Sequence, residues 1–385
     1  MRIGIISETY PPEINGVALT VHGLATGLAA RGHEIDLIRP RQAVRHPDEP
    51  GIDALETRGA SLPRYPGLRF GLPASRTLRK RWTRHRPDAI YVATEGPLGR
   101  SAVKTAMRLG IPVATGFHTR FDTYANHYGV GFLTPAVHGY LRRFHGRANI
   151  TLVPTDALAE ELSAMGVAHA RLLRRAVDTK LFQASKRDLA LRESWGVQAD
   201  TPVVLYVGRI APEKNLELAV DAFRAIQQVV PKARYVWVGD GPARAALQQA
   251  HADFIFAGMQ REETLAAHYA SADLFPFPSL SETFGNVILE ALSSGLPVVA
   301  YNEGAAREHL IDDHNGFRIP SGDAGAFIAA TVKLASDIGL LRQMSRAATA
   351  SVERLSPEAV IREFETQLRE LVEENGHEHP VTAPA

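Results

Sequence analysis

The stretch Phe277–Ala300 reads FPSLSETFGNVILEALSSGLPVVA. It holds two carboxylates, Glu282 and Glu290, on either side of the triplet Phe284-Gly285-Asn286. The apolar run after this triplet predicts a helix, and LPVVA predicts a buried strand. A helix start attracts phosphate through its exposed N–H groups and its dipole, and glycine lets a ligand approach the backbone closely. The two acids therefore suit a catalytic pair, a metal site, or a clamp on a ligand with hydroxyls at both ends.

The same strand-then-helix alternation extends outward from this stretch in both directions. Arg2–Ser7 (RIGIIS) predicts a buried strand, and the chain restarts in the same way at Pro202–Val207 (PVVLYV). Alternating strands and helices predict parallel sheets, and a chain of 385 residues exceeds one ordinary core. We expect a first Rossmann-like domain over 1–184 and a second over 185–356. A helix over 357–374 and a disordered tail over 375–385 complete the prediction.

Composition excludes several classes of protein. The chain has no cysteine and a net charge of +1, so thiolate chemistry is excluded and no global field favours nucleic acid. The first strand is followed by a loop without G-x-G-x-x-G, so the dinucleotide fingerprint is absent. The sequence shows neither a secretion signal nor an apolar stretch long enough for a membrane span. We therefore expect a cytoplasmic protein.

A basic stretch occupies Arg58–Arg86, where no acidic residue interrupts a series of arginines mixed with apolar and aromatic residues. It suits either a solvated helix face or a patch that contacts an anionic membrane from the inner side. A nucleic-acid groove has no second feature to support it, and we expect no nucleic-acid partner.

Basic residues that could bind a ligand also follow other predicted strands. Gly208, Arg209 and Lys214 lie on one loop after the strand that opens the second domain. Arginine and lysine both suit a diphosphate. His118 follows a predicted strand at its carboxyl end, where open α/β sheets bind ligands.

This set favours the clamp among the three sites that suit the two glutamates. A glycosidase pair flanks a single bond, whereas a helix start lies between these acids. No histidine close in sequence supports a metal site, and we expect no metal. A nucleoside diphosphate sugar has a ribose diol, a diphosphate and sugar hydroxyls, in the order that the clamp requires.

The chain resembles the retaining glycosyltransferases of family 4, which have the GT-B fold. The resemblance extends over nearly the whole chain, and the spacing of Glu282 and Glu290 matches the family's specific E-x7-E signature. Other matching residues are Asn15-Gly16-Val17, Thr94-Glu95-Gly96-Pro97, Phe117-His118-Thr119, Gly208-Arg209, Lys214, Gly239-Asp240-Gly241-Pro242 and Gly295-x-Pro297. The likeness is greatest to the branch with GDP-mannose-dependent α-mannosyltransferases and sulfoquinovosyl or glycosyl diacylglycerol synthases.

The resemblance implies two Rossmann-like domains that face each other across a cleft, with the last helix crossing back to the first domain. It implies that Arg209 and Lys214 stabilise the departing diphosphate, that Glu290 binds the ribose, and that Glu282 holds the transferred sugar. It also implies that His118 contacts that sugar, which makes His118, Arg209, Lys214 and Glu282 the catalytic set. The implied donor-binding residues are Asn15, Gly16, Gly208, Arg209, Lys214, Gly241, Phe284, Gly285, Asn286 and Glu290.

The expected function is transfer of a hexose, mannose from GDP-mannose first of all, to a membrane glycolipid or diacylglycerol. No cofactor is expected besides the nucleotide-sugar substrate. Two alternatives remain open: transfer from a UDP-sugar to a soluble or polysaccharide acceptor, and nucleotide-sugar binding without turnover. Two departures from the family concern donor placement: Gly304-Ala305-Ala306-Arg307 lacks a paired glycine, and Arg175-Ala176-Val177-Asp178 has alanine where glycine is usual.

Overall fold

A computed structural model describes residues 1–13, 15–42, 47–61, 69–118, 134–198, 201–280 and 284–376. The chain forms two compact units, one of residues 1–175 with 357 onward and one of residues 176–356. The predicted boundary at 184/185 falls inside the second unit. The reason is that the backbone N–H of Val177 donates to Leu355 and the hydroxyl of Ser293 donates to the Phe182 carbonyl, at 2.9 and 2.6 Å.

The first unit contains a seven-stranded parallel sheet in the order β3-β2-β1-β6-β7-β8-β9. Its strands are β1 (Arg2–Ile6), β2 (Glu34–Pro40), β3 (Ile52–Thr57), β6 (Ala89–Val92), β7 (Val113–Gly116), β8 (Ile150–Val153) and β9 (Ala170–Leu172). A separate antiparallel pair is formed by β4 (Gly59–Ser61) and β5 (Arg69–Gly71). The helices are α1 (Gly16–Ala30), α2 (Ser75–Arg84), α3 (Pro97–Leu109), α4 (Thr134–His145) and α5 (Asp156–Ala164).

Both faces of this sheet are covered, which accounts for its nearly continuous apolar strands. Successive side chains of a strand point to opposite faces. Ile5 packs with helix α1 and the C-terminal helix, whereas Ile6 packs with α2 and α3. Phe144 of α4 belongs to the same cluster as Ile6, so α2, α3 and α4 share one face of the sheet.

The C-terminal helix, Pro357–Gly376, packs on the first unit through Phe364, Leu368 and Leu371. Glu365 accepts hydrogen bonds there from Arg31 and His33. The helix continues two residues beyond the predicted 374, so the predicted tail begins inside it; residues 377–385 lie outside the described residues.

The second unit contains two three-stranded parallel sheets, β10-β11-β12 and β13-β14-β15. The N–H of Leu205 donates to Leu274 at 3.0 Å beside a Val204–Leu274 bridge, so β10 lies next to β13 and the sheets are continuous. The strands are β10 (Val203–Val207), β11 (Arg234–Val238), β12 (Ile255–Gly258), β13 (Phe275–Phe277), β14 (Val298–Tyr301) and β15 (Gly316–Ile319). The helices are α6 (Leu189–Ser194), α7 (Leu216–Val229), α8 (Arg244–Ala250), α9 (Glu262–Ser271), α10 (Asn286–Ser293), α11 (Gly304–His309), α12 (Ala324–Ser336) and α13 (Ile338–Val352); the C-terminal helix is α14.

Strand order reverses between β1 and β6 in the first unit and between β10 and β13 in the second. In open α/β sheets a crevice for ligands forms at such a reversal, outside the carboxyl ends of the strands.

Within the described ranges, no single helix has both the length and the apolar composition of a membrane span. Residues 324–336 and 338–375 meet the criteria only when taken together, across a bend of 101°.

Candidate active site

The loops after β10 and β11 pack backbone against backbone, which explains their glycines. Gly208 and Gly239 have φ of 151° and 133°, in a region that favours glycine. A Cβ at Gly239 would lie 1.9 Å from the Gly208 carbonyl oxygen, and one at Gly241 would lie 2.3 Å from that of Ile210. The predicted donor residues Gly208 and Gly241 thus shape the loops that carry the nearby charges.

The side chains of Arg209 and Lys214 belong to the loop after β10. Arg209 is about half exposed and pairs with Glu213 at 3.2 Å, and Lys214 ends a short 3₁₀ turn. The next residue, Asn215, donates from Nδ2 to the carbonyl of Pro278 at 3.2 Å. The fold therefore connects the cationic loop to the Phe277–Ala300 stretch across the crevice between β10 and β13.

Helix α10 begins at Asn286, directly after Gly285, whose φ of 91° is left-handed. No side chain among the described residues caps this helix start, so its first N–H groups suit an anion. Phe284 is held by the next loop, because Ala305 donates its N–H to the Phe284 carbonyl at 2.7 Å. A Cβ at Gly304 would lie 2.4 Å from the same oxygen, so the single glycine of that loop is required there.

Glu290 lies on the second turn of α10 and is partly buried. Burial raises its pKa, although the Tyr269 hydroxyl donates to its Oε2 at 2.8 Å and acts in the opposite direction. Tyr269 itself is fully buried and fixes the carboxyl group. Glu282, the other half of the predicted clamp, lies outside the described residues.

In the first unit, Asn15 is the N-cap residue of helix α1. Its Oδ1 accepts from the Ala18 N–H at 2.8 Å, and its Nδ2 donates to Thr9 at 2.7 Å. Gly16 is the first residue of the helix. The amide predicted to bind the donor is therefore occupied as a helix cap, whereas Gly16 lies at the ligand edge of the sheet.

His118 follows β7 and is 8% exposed. Its Nδ1 accepts a hydrogen bond from Arg175, so its proton resides on Nε2, 2.6 Å from the Tyr91 hydroxyl. Burial and the nearby Arg175 and His145 hold the pKa of His118 well below its usual value. Both ring nitrogens thus have protein partners, and a sugar contact through either nitrogen requires exchange of a partner.

Three residues of this edge were missed by sequence reasoning: Glu8, Tyr91 and Arg175. Glu8 follows β1, and the rule that selected His118 also selects it. Tyr91 lies within a strand and has no sequence signal. Arg175 was noted only as part of a departure from the family. Arg175 is 8% exposed, and its Nε has no hydrogen-bond partner in the described part of the chain.

Glu8 is bound to the start of helix α3. Its Oε1 accepts from the Leu98 N–H at 2.9 Å, and its own N–H donates to Thr94. Burial raises the pKa of Glu8 to about 7, despite backbone hydrogen bonds from Leu98, Gly99 and Gly71 that favour the charged form. The positive end of α3 is therefore already occupied by a protein carboxylate.

No group of three His, Asp or Glu residues within the described ranges is arranged to hold a metal ion. Metal independence stays a prediction.

Comparison with known proteins agrees with this arrangement. Residues 14–181 match the model described as Glycosyltransferase Family 4, and residues 201–337 match Glycosyl transferases group 1. A GDP-mannose-dependent alpha-mannosyltransferase of Mycobacterium tuberculosis is 33% identical over 84% of this chain and 85% of its own length. An alpha-monoglucosyldiacylglycerol synthase of Acholeplasma laidlawii is 26% identical over 97% and 98%.

Among solved structures, a sucrose-phosphate synthase of Thermosynechococcus elongatus superimposes with a TM-score of 0.80 at 20% identity, over 97% of this chain and 99% of that one. The two units, each a parallel sheet with flanking helices, have the GT-B fold. The chain belongs to glycosyltransferase family 4, and it is a hexosyltransferase.

Proposed function

We propose that this enzyme transfers mannose from GDP-mannose to a membrane glycolipid or diacylglycerol, with retention of the anomeric configuration. The observation that carries the proposal is the Asn215–Pro278 hydrogen bond, which joins the loop of Arg209 and Lys214 to the residue that directly follows β13, in the same stretch that leads to α10. A donor diphosphate requires cations and helix N–H groups on one side of a crevice. The GDP-mannose and lipid assignments rest on the names of the relatives.

In the proposed reaction, Arg209 and Lys214 stabilise the negative charge of the departing diphosphate, which is the main catalytic contribution. The departing phosphate oxygen accepts the proton of the acceptor hydroxyl as the new glycosidic bond forms. Glu290, fixed by Tyr269, accepts a hydrogen bond from the ribose diol. Glu282 holds the transferred sugar, and no metal takes part.

Incubation with a panel of labelled nucleotide sugars tests the proposal. Nucleotide release and product formation are followed with and without lipid acceptor. Lys214→Ala and Glu282→Ala are each expected to reduce turnover nearly to zero, whereas Lys232→Ala, an exposed lysine of the same unit, serves as the matched control. Full activity in both site variants would overturn the site assignment. Transfer only from UDP-sugars to soluble saccharides, or binding without release, would support the alternatives.

The proposal includes contact with the inner face of an anionic membrane, and the structure revises which residues of Arg58–Arg86 are suited to it. Arg81 pairs with the buried Asp36 and with Asp53, both at 2.6 Å. Arg86 donates to two backbone carbonyls, and Trp82 is buried. These side chains hold the fold together. Residues 62–68 lie outside the described residues.

The remaining basic side chains belong to a larger surface. Helices α2, α3 and α4 share one face of the sheet, and their sequences contain no Asp or Glu. Their exposed cations, with one from the following turn, are Arg76, Arg79, Lys80, Arg84, Arg100, Lys104, Arg108, Arg142, Arg143 and Arg147. The whole chain has a net charge of only +1, so the excess of positive charge on this face is balanced by acidic residues elsewhere in the chain. We call these residues the basic face.

Binding to liposomes tests this contact. Basic residues near an anionic surface each contribute about 1 kcal/mol. Lys104→Glu with Arg108→Glu is therefore expected to weaken binding to vesicles that contain anionic lipid by at least about 2 kcal/mol. The matched control reverses two exposed cations elsewhere, Lys232→Glu with Arg362→Glu. Equal binding by both double variants would exclude the basic face as the contact surface.

A further inference from the structure

A cavity of about 410 Å³ lies in the second unit, at the edge of the sheet opposite the proposed donor crevice. Three of its lining residues mark where strands begin: Pro202 precedes β10, Asp273 precedes β13, and Gly295 precedes β14. The loop of Arg209 and Lys214 follows the carboxyl end of β10 and therefore lies at the other edge. The cavity is thus separate from the site proposed for the donor.

One face of helix α13 forms a wall of this cavity. The lining residues of this helix are Ile338, Leu341, Arg342, Ser345 and Arg346. Residues three or four positions apart lie on the same side of a helix, so the two arginines stand one turn apart on this wall. They are the only charged residues of α13, whose whole length is described.

The two arginines of α13 have no partner for their charge. Both are exposed, and neither makes a hydrogen bond or an ion pair with the described residues. A third lining arginine, Arg187, differs from them: it donates to the Ala272 carbonyl at 2.9 Å and pairs with Asp273 at 2.7 Å. Like charges one helical turn apart repel each other, so an anion between Arg342 and Arg346 would relieve an unfavourable interaction.

The acidic group of the cavity is already neutralised. Asp273 is the one acidic residue among the described residues that line it. Its Oδ1 accepts from Arg187, and its Oδ2 accepts from Arg192 at 3.0 Å and from the Val203 N–H at 2.9 Å. Two guanidinium groups therefore compensate one carboxylate, and the pair on α13 leaves the cavity with an excess of positive charge.

The hydrogen-bond donors of the wall indicate the chemistry of the anion. Guanidinium groups present planar forks that match phosphate oxygens. The hydroxyl of Ser345 lies on the same face and makes no hydrogen bond within the described part of the chain. Packing fixes its position, because a Cβ at Gly295 would lie 3.2 Å from its Oγ. Ile338 lines the cavity and is 45% exposed, which suits the carbon part of an ester.

We propose that this cavity binds a phosphate monoester, with Arg342, Arg346 and Ser345 as donors to the phosphate oxygens. The ester is either a small soluble molecule or the headgroup of a phospholipid, since both present the same oxygens. Binding there adds a ligand site to the second unit that is distinct from donor binding and does not depend on the proposed transfer.

Isothermal titration calorimetry with glycerol 3-phosphate tests the site on the full chain. The wild type is expected to bind it, and Arg342→Gln with Arg346→Gln is expected to weaken binding at least about tenfold, because two charge-assisted contacts are lost. The matched control is Lys232→Gln with Arg354→Gln, two exposed cations of the same unit that do not line the cavity. The titrations are repeated in the Lys214→Ala background, because the donor crevice also attracts phosphate.

Hydrogen exchange followed by mass spectrometry locates the bound ester. Glycerol 3-phosphate is expected to slow exchange of the backbone amides of residues 338–346 in the wild type and in the control. The double variant at Arg342 and Arg346 should show no such protection. Both substituted side chains are exposed, so the variant is expected to fold, and an unchanged Tm checks this.

Vesicles of phosphatidylcholine, with and without phosphatidic acid, distinguish the two sources of the ester. Binding of glycerol 3-phosphate in solution supports a soluble ester. Binding that is confined to vesicles with phosphatidic acid, and that is weaker in the double variant than in its control, supports a lipid headgroup. The basic face contributes equally to both variants and cancels in this comparison. If neither probe distinguishes the double variant from its control, or if protection lies only outside residues 338–346, the proposed site is refuted.

Discussion

Glu8 provides a test of how burial at the ligand edge influences stability. Its pKa rises from 4.5 to about 7 in the folded chain because the carboxyl group is buried against the start of α3. A carboxyl whose folded pKa lies above its unfolded pKa favours folding below the unfolded value, and this contribution is lost as pH rises through the folded value. The wild type should therefore lose stability from this group between pH 4.5 and pH 7.

The magnitude follows from the two pKa values. At about 1.36 kcal/mol for each pKa unit, the group removes roughly 2.5 kcal/mol of stability between pH 5 and pH 8. Glu8→Gln has no such titration. Costs of the substitution that do not depend on pH cancel when the difference between variant and wild type is followed over pH.

Differential scanning calorimetry at pH 5, 6, 7 and 8 measures the effect. For a unit of this size, roughly 2.5 kcal/mol corresponds to a relative rise in Tm of about 5–10 °C for Glu8→Gln between pH 5 and pH 8. Glu34→Gln is the matched control, since the side chain of Glu34 is 79% exposed in the same unit. A difference between Glu8→Gln and wild type that stays constant over this pH range would refute the reasoning.

Three further predictions concern the two crevices. Gly239→Ala places a Cβ 1.9 Å from the Gly208 carbonyl oxygen, at a φ of 133° that favours glycine. The free energy of unfolding of the second unit should therefore fall by at least about 2 kcal/mol, measured by thermal unfolding. An unchanged Tm would contradict the packing of these loops. Glu290→Gln removes the charge that accepts the ribose hydroxyls, so the donor KM should rise about tenfold in steady-state kinetics, and an unchanged KM would exclude the ribose contact. Burial keeps the pKa of His118 low in both proteins, but Arg175→Met removes the nearby cation that also lowers it, so ¹⁵N NMR over pH should show the ring protonating at a higher pH in the variant than in the wild type; identical titration of the two proteins would contradict the Arg175–His118 contact.

Local patterns were sufficient to predict much of this protein. The alternation of apolar strands and helices predicted parallel sheets, because period-2 and period-3.6 patterns depend on near neighbours in the chain. The rule that ligands bind at the carboxyl ends of strands selected the loop of Arg209 and Lys214. The likeness around Glu282 and Glu290 indicated the family, which the comparisons confirm.

The sequence did not predict the roles of side chains whose contacts are with residues far away in the chain. Arg86 was counted in the basic stretch, yet it donates to the backbone carbonyls of Leu109 and Gly110, more than twenty positions away. Arg81 was grouped with membrane-facing cations, yet it pairs with Asp36. In both cases the stretch is basic, as the sequence shows, but the arginine binds a protein partner and not a membrane. The partner of a side chain is set by tertiary packing and not by its neighbours in sequence.

The sequence alone determined the two-sheet architecture, the glycine-containing loops and the family, since each depends on residues close together in the chain. The tertiary structure alone decided the state of His118, fixed by Tyr91 and by an arginine 57 positions away. It also decided that three helices separated in sequence place their cations on one face. The physical reason is that long-range side-chain contacts and shared sheet faces arise only when the strands pair, and no local period records them.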